Sequence, residues 1–186
     1  MRIETRNYNL NGHKLTFRNA EKEDAEMLLP YLKKICGETR FLSREADECK
    51  EMTIEQEESF IIGHLEDERA CLILAELDGK HVGNASFHVA GGSRRAAHRA
   101  NIGIALYQNY TGKGIGKKLF ALILETIEQS RFEAAELIVT EGNNHAIHMY
   151  ESFGFMETGR IPKANKYDDG TYAADIFMVK FFDTKE

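Results

Sequence analysis

Thr111-Gly112-Lys113-Gly114-Ile115-Gly116-Lys117-Lys118-Leu119 places three glycines at alternate positions directly ahead of an apolar helical pattern. Glycine takes up positive φ at little cost and lets a ligand approach bare backbone. The first N–H groups of the helix that follows have no intrahelical partner and face an anion. The stretch therefore predicts a phosphate cradle at a loop-to-helix junction, suited to the pyrophosphate of a nucleotide or of coenzyme A. Spacing separates it from two other glycine loops. A P-loop needs four residues between its first glycine and Gly-Lys-Ser/Thr, but Gly112 to Gly116 leaves three, and Lys117 is followed by Lys118 with no hydroxyl for Mg²⁺. A dinucleotide fingerprint needs G-x-G-x-x-G in a first βα turn, whereas G-x-G-x-G stands here after several strand-like segments.

Working outward from the loop, Ile115, Leu119, Leu122, Ile123 and Ile127 recur on one helical face. Upstream, Ala97 to Leu106 reads as a strand, and Ala70 to Leu77, Asp78-Gly79 and His81 to Val89 as an antiparallel hairpin. Downstream come a strand at Glu136 to Val139, a short helix at Asn143 to Ser152, and closing strands at Phe155 to Ile161 and Tyr172 to Phe181. The chain opens with a second hairpin, Ile3 to Leu10 and Lys14 to Arg18 around Asn11-Gly12. Two helices follow: one carries Met27, Leu28, Leu32 and Ile35 after an acidic turn at Glu21 to Asp24, the other Ile54, Phe60, Ile61 and Leu65 after a cap near Thr53.

A second motif stands about thirty residues after the loop, Asn143-Asn144-His145-Ala146-Ile147-His148-Met149-Tyr150-Glu151-Ser152-Phe153-Gly154-Phe155. The two together resemble the GCN5-related N-acetyltransferases (GNAT), in which Arg/Gln-Gly-x-Gly-x-Gly/Ala is followed by Asn-x-x-Ala-x-x-x-Tyr-x-x-x-Gly-Phe. The resemblance runs from near Ala97 to the chain end, including Asp169-Gly170-Thr171-Tyr172; the first half matches in its pattern of elements only. It implies an α/β fold, a mixed, mostly antiparallel central sheet of six to seven strands flanked by about four helices. It also implies an acyltransferase that moves acetyl from acetyl-CoA to a primary amine by direct attack in a ternary complex.

What the resemblance implies can be carried over residue by residue. Thr111, Gly112, Lys113, Gly114, Ile115, Gly116 and Lys117 would hold the pyrophosphate, the lysines adding charge-assisted contacts. The backbone N–H near Leu106 would polarise the thioester carbonyl, and the extended pantetheine would pair with its strand. Asn143 would serve the pantetheine or adenine side while also capping its helix. Tyr150 would donate a proton to the departing thiolate; outside this motif it would read as core packing. An ammonium acceptor must first lose a proton. His98, thirteen residues before Thr111, stands where some relatives carry a carboxylate base, and it also reads as a surface histidine in a basic stretch. Water relayed through Tyr172, Asp175 or acidic residues of the second helix is the fallback. Thr111 departs from Arg or Gln, and Gln108 from Pro, which removes one possible phosphate contact but leaves the backbone cradle.

Length and composition set the remaining bounds. The 186 residues are expected to form one domain, 1–186. Cys36, Cys49 and Cys71 have no C-x-x-C spacing, which points to reduced thiols and a cytoplasmic setting. No signal segment or membrane-spanning run is expected. A net charge of −6 disfavours nucleic acid and anionic membranes as partners. Ten Asp or Glu stand between Arg44 and Arg69, either a solvated helix face or a field for a cationic substrate. His145 and His148 lack the companions of a metal site, and none is expected. A small amine or polyamine is the favoured acceptor, with a protein N-terminus or lysine as the other enzymatic reading. A non-catalytic acyl-CoA sensor is the reading from another class, and a homodimer through the closing strands is compatible with all three.

Overall fold

The computed structural model describes residues 1–42 and 44–183, and the chain falls into two compact units, each made of two stretches. The first unit is Met1–His88 with Gly103–Thr126; the second is Val89–Ile102 with Ile127–Glu186.

The first unit begins with strands β1 (Arg6–Leu10) and β2 (His13–Asn19), antiparallel with Leu10 opposite His13. The two residues between them, Asn11 and Gly12, both have positive φ, at 52° and 89°, as a two-residue hairpin turn of this hand requires. Along β2 side chains alternate across the sheet, and Leu15 and Phe17 are fully buried. Helix α1 (Ala25–Glu38) follows a 3-10 turn at Lys22–Asp24, and Arg18 holds that turn with both guanidinium NH groups donating to Asp24 at 2.7 and 2.8 Å. Two further helices follow, α2 (Ala46–Lys50) and α3 (Ile54–Glu66). Thr53 caps α3 reciprocally: its hydroxyl accepts from the Gln56 N–H at 3.3 Å and the Gln56 side chain accepts from the Thr53 N–H at 3.0 Å. Strands β3 (Cys71–Leu77) and β4 (Lys80–Val89) complete an antiparallel order β1-β2-β3-β4, again turning on two positive-φ residues, Asp78 and Gly79.

Strand β5 (Arg99–Leu106) belongs to the second unit through Ile102 and to the first from Gly103 on. Helix α4 (Ile115–Gln129) is divided at Thr126 in the same way. All five residues assigned to its apolar face are buried, Leu122 at 3% exposure and the other four at 0%.

The second unit adds β6 (Ala134–Thr140), α5 (Asn144–Ser152), β7 (Met156–Lys166) and β8 (Tyr172–Phe181). Strand β8 lies antiparallel to both β6 and β7, and β5 runs parallel to β6. Strand β7 runs five residues past the expected end at Ile161. Its register shifts between Ile161 and Asn165, and this irregularity accommodates Pro162, which has no N–H to give a ladder.

The described residues thus form eight strands and five α-helices, against the six to seven strands and about four helices that the resemblance implies. The eight strands are those read along the sequence, the N-terminal hairpin among them, with β2 pairing along β3. Helix α2 accounts for the helices; its capping pair Glu45 and Glu48 organises a stretch with no apolar period.

Candidate active site

The glycine loop lies in the first unit. Tyr110 and Thr111 close a tight 3-10 turn, their N–H groups donating to Tyr107 O at 2.9 Å and Gln108 O at 3.1 Å, and the Thr111 hydroxyl donates to Gln108 O at 2.8 Å. Thr111 therefore spends its side chain on the turn. Gly112 and Gly114 have φ of 72° and 83°, and nothing stands within 4 Å of where a Cβ would project at either. The cradle is strained for any other residue, yet open. The first amide to bond back along the helix is Lys118 N–H, to Gly114 O at 3.2 Å, so Ile115, Gly116 and Lys117 present amides with no intrahelical acceptor. The Lys113 ammonium lies 5.2 Å from the centre of the Tyr110 ring, and Lys113 and Lys117 are exposed. An open, positive-φ loop of bare amides at the start of a 15-residue helix fits a pyrophosphate in size and charge.

Leu106 ends β5, immediately before this loop. The parallel ladder joins Arg99, Ala100 and Asn101 to Ala134, Ala135 and Glu136, three pairs, while β5 continues five residues further. Beyond Asn101 the strand is half-exposed or exposed except at Ile102, so its backbone stays within reach of an extended ligand. On its other side β5 approaches β4 closely. A Cβ on Gly83 would meet Ala105 O at 2.6 Å and Leu106 Cα at 2.8 Å, so only glycine fits there. Tyr107 N–H donates to Val82 O at 3.0 Å.

Sequence reasoning missed three residues of this unit. Tyr31, 3% exposed, donates its hydroxyl to Ala105 O at 2.9 Å. Its ring meets those of His81 and Tyr107 edge-on, at 4.5 and 4.8 Å. Burial pushes the His81 imidazole down to about 4, so it is neutral near pH 7. The third is Glu57. Helix α3 was read as apolar through Ile54, Phe60, Ile61 and Leu65, but Ile54 and Phe60 are 41% and 46% exposed, and the buried positions are Glu57, Ile61 and His64. The spacing i, i+4, i+7 is still helical; two of its three members are polar, which a hydrophobicity pattern passes over. Of the ten acidic residues between Arg44 and Arg69, Glu57 alone is buried and Glu58 half-buried; the other eight are exposed, a solvated face. Burial raises the Glu57 carboxyl above its ordinary range.

The second unit carries the other candidates. Asn143 caps α5, its side-chain oxygen accepting from Ala146 N–H at 3.4 Å. Tyr150 is 7% exposed, its ring 6.2 Å from that of Phe155, and burial pushes its phenol up to about 12. It is therefore a neutral proton donor across the working range. His98 is exposed and precedes the first residue of β5, at the end opposite Leu106; its carbonyl accepts from Glu133 N–H at 2.9 Å. Tyr172 is 49% exposed, and Asp175 accepts from the Asn165 side-chain NH₂ at 2.7 Å. Among the described residues no three His, Cys, Asp or Glu are grouped to hold a metal, and no helix is long and apolar enough to cross a membrane.

Residues 34–155 match the model of the acetyltransferase (GNAT) family. The chain belongs to the GNAT family. Its fold agrees with a GNAT acetyltransferase from Streptococcus pneumoniae, 27% identical, at a TM-score of 0.85 over 90% of this chain and 99% of that one. It also agrees with yncA, an acetyltransferase from Salmonella typhimurium whose structure holds its cofactor acetyl-CoA; at 17% identity and a TM-score of 0.82, over 92% and 96% of the two chains, this likeness concerns the fold alone. A shorter stretch of 55 residues is 40% identical to spermine/spermidine N(1)-acetyltransferase of Bacillus subtilis (strain 168). That stretch is 29% of this GNAT chain and spans 36% of the relative's own length.

Proposed function

We propose that residues 1–186 act as one catalytic domain that transfers acetyl from acetyl-CoA to a primary amine, a small amine or polyamine being the preferred acceptor. The observation that carries the donor side is the open glycine loop beside β5. Gly112 and Gly114 hold the positive φ that leaves the amides from Gly112 to Lys117 facing outward, toward a pyrophosphate. Bound there, acetyl-CoA supplies an activated acyl group in its thioester. The backbone of β5 past Asn101 would pair with the two amides of the pantetheine arm as with a short peptide. Leu106 N–H, at the end of that strand, would donate to the thioester oxygen as charge develops on it.

By the motif it shares with the GNAT family, Tyr150 would serve the departing sulfur. Its phenol, held neutral by burial, can donate throughout the physiological range; with its acidity depressed to about 12, full proton transfer to a thiolate of ordinary basicity runs uphill. Its role is hydrogen-bond donation that stabilises the sulfur as the bond breaks. The proton of the incoming ammonium leaves to water; His98, eight strand residues or about 26 Å along β5 from Leu106, would take part only at a distance, through solvent.

On the acceptor side, Glu57 supports the amine reading. Burial raises this carboxyl on the inner face of α3, and a cation bound beside it would offset that desolvation. The spermine/spermidine name of the Bacillus subtilis relative agrees with this, over the short stretch it shares.

Thiol release from acetyl-CoA against polyamines, amino sugars, amino acids and short peptides tests the proposal. Release with polyamines or other small amines supports it. Release with peptides alone moves the acceptor to protein N-termini or lysines, and acetyl-CoA binding without release on any amine identifies a sensor module.

A further inference from the structure

The peptide unit between Ala105 and Leu106 is gripped from one side by three groups of the first unit. Tyr31 donates its hydroxyl to the carbonyl at 2.9 Å. Gly83 passes so close that a methyl group in its place would lie 2.6 Å from the same oxygen. Tyr107 N–H, one residue on, is committed to Val82 O at 3.0 Å. The Tyr31 ring cannot swing away, because the rings of His81 and Tyr107 meet it edge-on and it is 3% exposed.

A trans peptide is planar, so its C=O and N–H point in opposite directions. A carbonyl held toward Tyr31 and β4 turns the N–H of Leu106 toward the other edge of β5. We infer that Tyr31 is a positioning residue for acyl transfer: its hydroxyl orients and polarises the Ala105–Leu106 peptide so that Leu106 N–H is aimed, as a strengthened donor, at the thioester carbonyl. Hydrogen bonds in series polarise one another, so a donor on the carbonyl makes the N–H of the same peptide a better donor. The device needs a buried tyrosine on α1 and a glycine on β4, both upstream of the glycine-loop motif and outside it. The inference rests on the proposed role of Leu106 N–H.

The test is the infrared carbonyl stretch of acetyl-CoA labelled with ¹³C at the acetyl carbonyl, bound without acceptor to the wild-type protein and to Tyr31→Phe. The wild type should lower the bound carbonyl frequency below that of free acetyl-CoA. Tyr31→Phe should lose most of that shift while keeping acetyl-CoA affinity within about twofold, and its kcat should fall about tenfold, the worth of one hydrogen bond. A wild-type shift that persists unchanged in Tyr31→Phe overturns the role of Tyr31. No shift in the wild type overturns the assignment of Leu106 N–H itself, and with it the inference. A second arm keeps the fold intact: 3,5-difluorotyrosine at position 31 is a stronger donor and should enlarge the shift and move the Leu106 amide proton resonance of the unliganded protein. An unmoved resonance and an unchanged stretch count against the inference.

Discussion

Tyr31 on α1 and Tyr150 on α5 are the same residue in much the same burial, 3% and 7% exposed, and in both desolvation holds the phenol neutral. Tyr150 is announced by its neighbours in sequence, since Asn143, Ala146, Gly154 and Phe155 stand at fixed distances around it. Tyr31 sits among Leu28, Leu29 and Ile35 and reads as one more core aromatic. What distinguishes it is a strand carbonyl seventy-four residues away in sequence. The comparison teaches that burial does not separate a working tyrosine from a packing one; the destination of its hydroxyl does.

Four experiments would break or sharpen this contrast. Both tyrosines presuppose a seated donor, and the largest effect should come from removing it. Gly114→Glu forces a side chain into φ of 83° and sets a carboxylate where phosphates belong; acetyl-CoA affinity by calorimetry should fall about a hundredfold or more. Next, Tyr150→Phe should lower kcat about a hundredfold, in the range of a lost hydrogen bond to a charged group, with KM for acetyl-CoA little changed. It should leave the bound carbonyl stretch where it is, the opposite of Tyr31→Phe; a Tyr150→Phe enzyme with full kcat would make Tyr150 the packing residue of the two.

The third concerns the ring beside Tyr31. His81 takes a proton near 6.5 in the unfolded chain but only at about 4 when folded, so below 6.5 the unfolded state binds the extra proton. The stability tied to a neutral His81 is complete above pH 6.5 and is lost as pH falls toward 4, by roughly 3 kcal/mol at 1.36 kcal/mol per pKa unit. Urea midpoints should therefore drop between pH 7 and pH 4.5 by less in His81→Phe than in the wild type. Equal drops would mean that the imidazole is solvated and does not brace Tyr31. The smallest effect belongs to His98→Ala. An exposed side chain at the end of β5 opposite Leu106 should be worth less than tenfold in kcat. An unchanged kcat removes His98 from the reaction.

Much of the architecture was legible because local rules and the fold agree. Asn11-Gly12 and Asp78-Gly79 demand two positive φ values in succession and form the hairpins they announce. Ile115 to Ile127 keep one apolar stripe, and it is the buried one. Thr53 and Gln56 cap α3 as their spacing implies. The reading failed where buried positions are polar or where a break is tolerated. Glu57 and His64 take the inner face of α3 while Phe60 turns outward against the His64 ring, 4.4 Å between centroids. The expected end of the strand is Ile161, but β7 absorbs Pro162 in an irregularity and continues.

The amino-acid order alone determined the glycine loop, the Asn143 to Phe155 motif and hence the family. Those signals are short-range, and their physics, positive φ, free helix amides and helical spacing, is complete within a dozen residues. Only the tertiary structure decided that β5 leaves its parallel partner after three residue pairs, that Gly83 is pressed against Ala105, and that the hydroxyl of Tyr31 holds the Ala105–Leu106 peptide. Each depends on groups brought together from distant parts of the chain by packing, and no local pattern encodes where a strand parts from its neighbour or which carbonyl a buried hydroxyl will find.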